Sequence, residues 1–329
     1  MARVNTLRGP VDSSELGYTL AHEHVFVHDE GVISNFPHIW DEDRAFSLAR
    51  MKVMAAYECG VRTMLDASVL GNGRNVPMLL RAVGGLPMNF LICTGLFYKS
   101  DLPGFFQTQS PDILAECFIK DIEEGIAGTG VKAAIIKSCT DVAGITIGVE
   151  KALRAAARAH LRTGAVLHTH ANAVVKAGLE QQRIFADEGV DLEKVYIGHA
   201  INSPDIDYLH ALLDKGSFIG FDRWAAGPLP PIPGLEVLPP VTADDAVKML
   251  AQLCREGYAG QILIGNDGCS FQTVVRFVNV EESPGMNDLD YVVFPKEITP
   301  KLLAAGVTES QIDTMTIHAP RRLFEINAR

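Results

Sequence analysis

Along this chain, short runs of apolar, β-branched and aromatic residues alternate with longer segments in which apolar residues recur every three or four positions. Short apolar runs bounded by turn residues read as buried strands, and the longer period reads as amphipathic helix. The runs are "YTLAHEHVFV", "RTMLDAS", "NFLICTGL", "AAIIKSC", "AVLHTH", "VYIGHA", "SFIGFD" and "QILIGND". Helical periodicity covers residues 43–59, 111–127 and 149–163, each followed by a glycine (Gly60, Gly128, Gly164) of the kind that ends a helix. Residues 176–188, 204–215 and 242–256 continue the alternation. Strand followed by helix predicts a parallel sheet, and eight strands close a (β/α)8 TIM barrel. Residues 1–329 are expected to form this single α/β domain.

The polar residues that interrupt these runs are placed regularly. In a strand, side chains two apart share a face, so His22 and His24 are expected to point one way and Ala21 and Glu23 the other. Ionisable residues then recur near the C-terminal ends of the strands: Asp66, Lys137, His168 and His170, His199, Asp222 and Arg223, and Asp267. In this fold that end carries the active site. Burying these groups without partners costs on the order of several kcal/mol each, so they either pair or hold a metal. Histidine and carboxylate suit a divalent transition metal, and four histidines with an aspartate exceed one tetrahedral shell, which points to two ions. Alternation does not choose between His168 and His170, which share a face, although His170 lies nearer the strand end.

Taken singly, each feature has a plain structural reading. The histidine pair could be packed, Lys137 could be a cation paired with an acid, and Asp267 could begin a turn. Their joint placement on different strands carries the functional reading. His28, His38, His160, His210 and His318 fall on loops or helices and read as packing or surface residues, as does Trp40.

Charge and cysteine content narrow the function classes. A net charge of −11 opposes nucleic-acid binding, which needs a basic footprint. The six cysteines are scattered without a CxxC pair, which fits a reducing compartment. No signal-peptide pattern and no membrane-length apolar run occur, so the chain is expected to be soluble and cytoplasmic, without membrane partners. One composition shift stands out, "GPLPPIPGLEVLPP" at residues 227–240, whose prolines favour a semi-rigid loop after the seventh strand, either a connector or the rim of a site.

The segments "GYTLAHEHVF", "CTGLF", "DIEEGIAGTGVKAAIIKSCTD", "THANAVVKAGLEQQRIFADEGVDLEKVYIGH", "DKGSFIGFDRW" and "GND" together resemble the phosphotriesterase family of the amidohydrolase superfamily. The resemblance is particularly to its phosphotriesterase-like lactonase branch, and it runs from "RGPVDSSELGYTLAHEHVF" to "APRRLFE", nearly the whole chain. It implies a binuclear centre in which His22, His24 and Asp267 hold the more buried ion and His170 and His199 the outer one. The downstream "GLEQQ" sets this register, matching His170 rather than His168 to the family ligand. Lys137 would be carboxylated and bridge the ions, because an ammonium has no lone pair to donate. Zinc is the foremost metal, with cobalt, iron and manganese suited to the same donors.

The resemblance further implies that a metal-bridging hydroxide attacks the substrate, the outer ion polarises the carbonyl or phosphoryl oxygen, and Asp267 passes on the proton. Arg223 and Trp224 match positions lining the substrate pocket, and residues 268–294 would cover an apolar tail. Phe97 stands where the branch has tyrosine, with Tyr98 beside it. The expected activity is opening of acyl-homoserine or γ/δ-lactones, with a secondary phosphotriesterase activity, in a homodimer. Two alternatives are weighed against it: a primary organophosphate or other ester hydrolase using the same centre, and a non-catalytic small-molecule binder, against which the retained ligand set speaks.

Overall fold

A computed structural model describes residues 2–225, 241–272 and 290–326. The chain opens with an antiparallel hairpin, β1 (Arg3–Thr6) and β2 (Gly9–Asp12). Nine parallel strands follow: β3 (Thr19–Val27), β4 (Thr63–Asp66), β5 (Asn89–Gly95), β6 (Ile135–Thr140), β7 (Val166–Ala171), β8 (Val195–Gly198), β9 (Phe218–Phe221), β10 (Ile262–Ile264) and β11 (Cys269–Gln272). They form one sheet in the order β10-β9-β8-β7-β6-β5-β4-β3-β11. Strands β10 and β11 are two halves of the eighth barrel strand, and β11 pairs with β3 at Cys269 and His24. The ring is completed by Asp267 N donating to His22 O at 3.0 Å and His24 N donating to Gly268 O at 2.9 Å. The fold is a (β/α)8 TIM barrel, and each of the eight apolar runs is one of its strands.

The helices begin where side chains satisfy their free N–H groups. Asp41, Ser110, Thr146, Asp205 and Thr242 accept from backbone N–H groups of the first turns of Glu42–Glu58, Pro111–Glu123, Ile147–Thr163, Ile206–Leu213 and Ala243–Arg255. Gly60 and Gly164 end two of them with φ of +95° and +74°. The expected end at Gly128 is not observed. That helix stops at Glu123, because the chain turns through Gly125 at φ +120° into a short 3-10 turn, Ile126–Gly128. A further helix, Val76–Val83, lies outside the segments expected from the sequence; Asn75 caps it and Pro77 sits in its first turn.

Strict alternation also fails in β3. Ala21 lines the lower barrel lumen with Leu65, Leu91, Ile135, Val166 and Leu263. Yet the adjacent His22 also faces inward, with its ring centroid 4.6 Å from that of His168. The pairing of β3 with β4 shifts register between Leu20 and Glu23, and such an irregularity re-aims a side chain. Ala21 therefore does not face away from His22. Pro320, Leu323 and Phe324 of the C-terminal helix Ala319–Glu325 close the lumen from below. Among the described residues no helix is long and apolar enough to cross a membrane.

Candidate metal centre

The strand ends bring the sequence candidates into one buried cluster. His22 and His24 come from β3, Lys137 from β6, His168 and His170 from β7; His199 follows β8, Asp222 and Arg223 follow β9, and Asp267 lies between β10 and β11. His22, Lys137, His168, His199 and Asp222 are almost wholly shielded from solvent. Ligand atoms of His22, His199 and Asp267 lie within 4.8 Å of one another. Ring centroids of His22 and His199 are 4.5 Å apart, and those of His170 and His199 4.6 Å.

The far side of each imidazole decides what its near side offers. Asp222 accepts at both carboxylate oxygens, from His22 Nδ1 at 3.1 Å and from His199 Nδ1 at 3.1 Å. Tyr196 Oη at 2.6 Å and the His199 backbone N–H at 3.0 Å add to it. A carboxylate only accepts, so both Nδ1 atoms carry the proton and both Nε2 atoms keep a lone pair. His24 is fixed alike: Ser68 Oγ donates to Phe26 O and so accepts from His24 Nδ1 at 2.9 Å. His170 turns Nε2 toward Asp141 Oδ2 at 3.7 Å, which leaves Nδ1 for the interior. Asp141 is itself held by Lys99 at 2.8 Å and Asn172 at 2.8 Å.

These free nitrogens converge. His22 Nε2 is 3.0 Å from Lys137 Nζ and 3.7 Å from Asp267 Oδ1, and His24 Nε2 is 3.5 Å from the same oxygen. Donors bound to one ion at about 2.0–2.2 Å are separated by about 3–3.7 Å, so the donor set fits a divalent metal. Outer partners that orient each ring, as Asp222, Ser68 and Asp141 do, are the usual complement of such a site.

The electrostatics agree with neutral imidazoles. Burial, reinforced by the Lys137 charge, holds His22 and His168 well below the ordinary histidine range. Burial brings His170 down to about 3 despite the Asp141 carboxylate. Burial also lowers Lys137, favouring its neutral amine. For Asp222, burial alone would raise the pKa, but His199 and the hydrogen bonds from His199 and Tyr196 keep it at about 2. Asp267 is likewise pushed up by burial, yet the His24 hydrogen bond, the Arg223 guanidinium and the neighbouring His199 and His22 rings hold it well below the usual carboxylate range. His199 and Asp267 both adopt left-handed backbone conformations, φ +62° and +50°, a strain concentrated at functional sites.

The remaining candidates take distinct places. Phe97 meets His170 edge-on at 5.2 Å, with its ring centroid 5.7 Å from Lys137 Nζ, so it walls the centre. Tyr98 is part-buried and lies against Gly71. Arg223 Nε approaches Asp267 Oδ2 at 3.1 Å. Trp224 is buried between Phe221 and Phe294, in the wall beside the mouth. His168 lies below the cluster, edge-on to both His22 and Tyr196, with neither ring nitrogen hydrogen-bonded among the described residues. Within "GLEQQ", Gln181 Nε2 donates to His170 O at 2.9 Å, and Gln182 Nε2 ties the same helix to Leu212 O and Ser217 Oγ. The proline-rich residues 227–240 and most of 268–294 lie outside the described residues.

Sequence reasoning collects Asp222 at this end without giving it a role, and it passes over Ser68, Asp141 and Glu23. The available signal is a polar residue inside or just after an apolar strand; its partner, however, lies on another strand.

Comparison with known proteins accords with this geometry. Residues 2–324 match the model of the phosphotriesterase family. A phosphotriesterase homology protein of Mycobacterium tuberculosis is 40% identical over 335 residues, covering 99% of this chain and 98% of that protein. An aryldialkylphosphatase of Saccharolobus solfataricus is 37% identical over 317 residues, covering 95% and 96%. The solved structure of the phosphotriesterase from Mycobacterium tuberculosis matches with a TM-score of 0.89 at 39% identity, covering 98% of each chain. The barrel, the buried histidine and carboxylate cluster and these likenesses lead to one conclusion: the chain belongs to the phosphotriesterase family, metal-dependent hydrolases of ester bonds.

Proposed function

We propose that this chain is a binuclear metal-dependent hydrolase that opens acyl-homoserine or γ/δ-lactones and hydrolyses phosphotriesters as a secondary activity. The observation that carries the reading is the convergence of the His22 and His24 Nε2 atoms on Asp267 Oδ1, beside the buried Lys137 amine. His22, His24 and Asp267 would hold the deeper ion, His170 and His199 the outer one, and Lys137 as a carbamate would bridge them. When bound, the metals supply Lewis-acid activation of water and of the scissile carbonyl or phosphoryl group.

The protein's own groups prepare this chemistry. The lysine amine, held toward its neutral form by burial, is the state whose lone pair adds to carbon dioxide. Because the amine lies beside His22, a carboxylate formed on it would lie within reach of both histidine sets. Asp267, kept ionised and flanked by Arg223, is set to accept a proton from water and return it to the leaving oxygen. Phe97 offers an apolar wall rather than a phenolic hydrogen bond to the substrate. The lactonase-like "GFDRW" and "GLEQQ" segments support lactones as the main substrate class. A second reading, a primary organophosphate hydrolase, is favoured by the 37% identity to the aryldialkylphosphatase.

Parallel kcat/KM measurements on acyl-homoserine lactones, simple γ- and δ-lactones and an aryl dialkyl phosphate separate the two. The expected result is the highest value on a lactone; a far higher value on the phosphate reverses the order. Elemental analysis should find about two divalent ions per chain.

A further inference from the structure

The eighth barrel strand leaves its ladder for residues 265–268, between the end of β10 at Ile264 and the start of β11 at Cys269. In this gap Asp267 has φ +50°, and the backbone of β3 holds both sides of it: Asp267 N donates to His22 O at 3.0 Å, and Gly268 O accepts from His24 N at 2.9 Å. The amides flanking Asp267 are received by a single side chain. Asn266 N donates to Glu23 Oε1 at 2.7 Å, and Gly268 N donates to Glu23 Oε2 at 2.8 Å. Asn266 Nδ2 adds a third bond to Oε1 at 3.1 Å. Glu23 is buried, and none of the roles proposed for the centre uses it.

We infer that Glu23 is the positioning residue that presents Asp267 to the metal centre. It acts by clamping the backbone N–H groups of the two residues that flank the left-handed one. This inference rests on the proposed role of Asp267. A non-glycine residue keeps such a backbone only where its surroundings over-determine it. A carboxylate has two accepting oxygens and can satisfy both amides at once, whereas a glutamine of the same shape accepts at one end and donates at the other. The clamp explains why a carboxylate is buried between the two histidines of "HEH" while contributing nothing to their inward face. It also explains the glycine after Asp267, since a Cβ at Gly268 would sit 2.8 Å from Glu23 Oε2 and 2.8 Å from Tyr291 Cδ1. The far end of the clamp is anchored as well: Asn266 Nδ2 donates to Tyr291 O at 3.0 Å, and Asn266 Oδ1 accepts from Phe294 N at 3.0 Å.

The test is Glu23→Gln in the metal-loaded full chain, read by crystal structure and by kinetics on an aryl dialkyl phosphate. The expected structure shows residues 266–268 rearranged and the Asp267 carboxylate displaced by about 1 Å or more. A displacement of that size accompanies a fall in kcat on the order of a hundredfold, with KM within about twofold. Because Glu23 acts through Asp267, Glu23→Gln combined with Asp267→Asn should be no slower than Asp267→Asn alone. An unmoved Asp267 in the Glu23→Gln structure overturns the inference whatever the rates, as do independent, multiplying losses in the double variant. A displaced Asp267 with an undiminished rate supports the clamp and instead removes Asp267 from the proposed chemistry. If Glu23→Gln does not accumulate as folded protein, Gly268→Ala disturbs the same contact from the opposite side, with the same expected displacement and the same overturning result.

Discussion

Two halves of one barrel lumen can be compared residue by residue. In the lower half, Leu65, Leu91, Ile135, Val166 and Leu263 pack against Leu323 of the C-terminal helix. Two residues further along the same strands, Ile135 gives way to Lys137 and Val166 to His168 and then His170, still on the same face. The lower half is held by removing apolar surface from water, worth about 25 cal/mol per Å2. The upper half buries groups that would each be costly alone and is held by directed partners: Asp222 for His22 and His199, Ser68 for His24 and Asp141 for His170. Tyr196 belongs to both: its ring lies in the apolar plug and its hydroxyl donates to Asp222 at 2.6 Å. Packing in one half thus supplies a rigid base for hydrogen bonding in the other, so damage to each half should have separable consequences.

The largest separation is expected from Lys137→Ala. It should lose most of the bound metal and lower kcat/KM by at least on the order of a hundredfold, beyond what loss of an outer partner produces. Full activity with this variant would remove the proposed centre. Asp222→Asn comes next: it leaves the volume nearly unchanged but turns one of the two accepting oxygens into an amide donor, set against the Nδ1 proton of either His22 or His199. Metal affinity, measured by chelator competition, should fall about 10–100-fold.

Leu91→Ala probes the other half. It should cost about 2–5 kcal/mol of stability in denaturant unfolding. In the metal-loaded protein kcat should stay within about twofold, because Leu91 touches the plug and not the ionisable cluster. A kinetic loss as large as that of Asp222→Asn would abolish the distinction between the halves.

The smallest effect is a pH dependence confined to the metal-free protein. His170 is lowered to about 3 from 6.5, and His22 is also lowered, so the unfolded chain binds protons that the folded chain refuses. Stability of the chelator-treated protein should therefore be fully present above about pH 6.5 and decline as pH falls below it. Asp222, at about 2 against an ordinary 3.8, is depressed as well and adds to this trend only in a more acidic window, below about pH 4. Calorimetry between about pH 7.5 and 5.5 should show Tm falling by a few degrees. A flat Tm over that range would mean the histidines are not buried as neutral rings.

Much of this architecture is legible in the sequence because strands and helices announce themselves through local periods. "AAIIKSC" and "AVLHTH" contain both the apolar plug and the polar end of β6 and β7, in the correct phase. The misreadings occur where a local rule is overridden. Ala21 and His22 both face inward because the β3–β4 pairing shifts, and the helix expected to reach Gly128 ends early at a glycine turn. Neither event changes composition or period.

By itself the sequence determined which residue types stand at the barrel's open end, since period-two alternation and helix punctuation are properties of neighbours along the chain. The tertiary structure alone decided which nitrogen of each imidazole faces inward and how Asp267 is presented. Those choices rest on Asp222 reaching His22 across 200 residues and on Glu23 reaching Asn266 across 243. A hydrogen bond between strands so distant in sequence leaves no trace in any local pattern, because its geometry exists only once the barrel has closed.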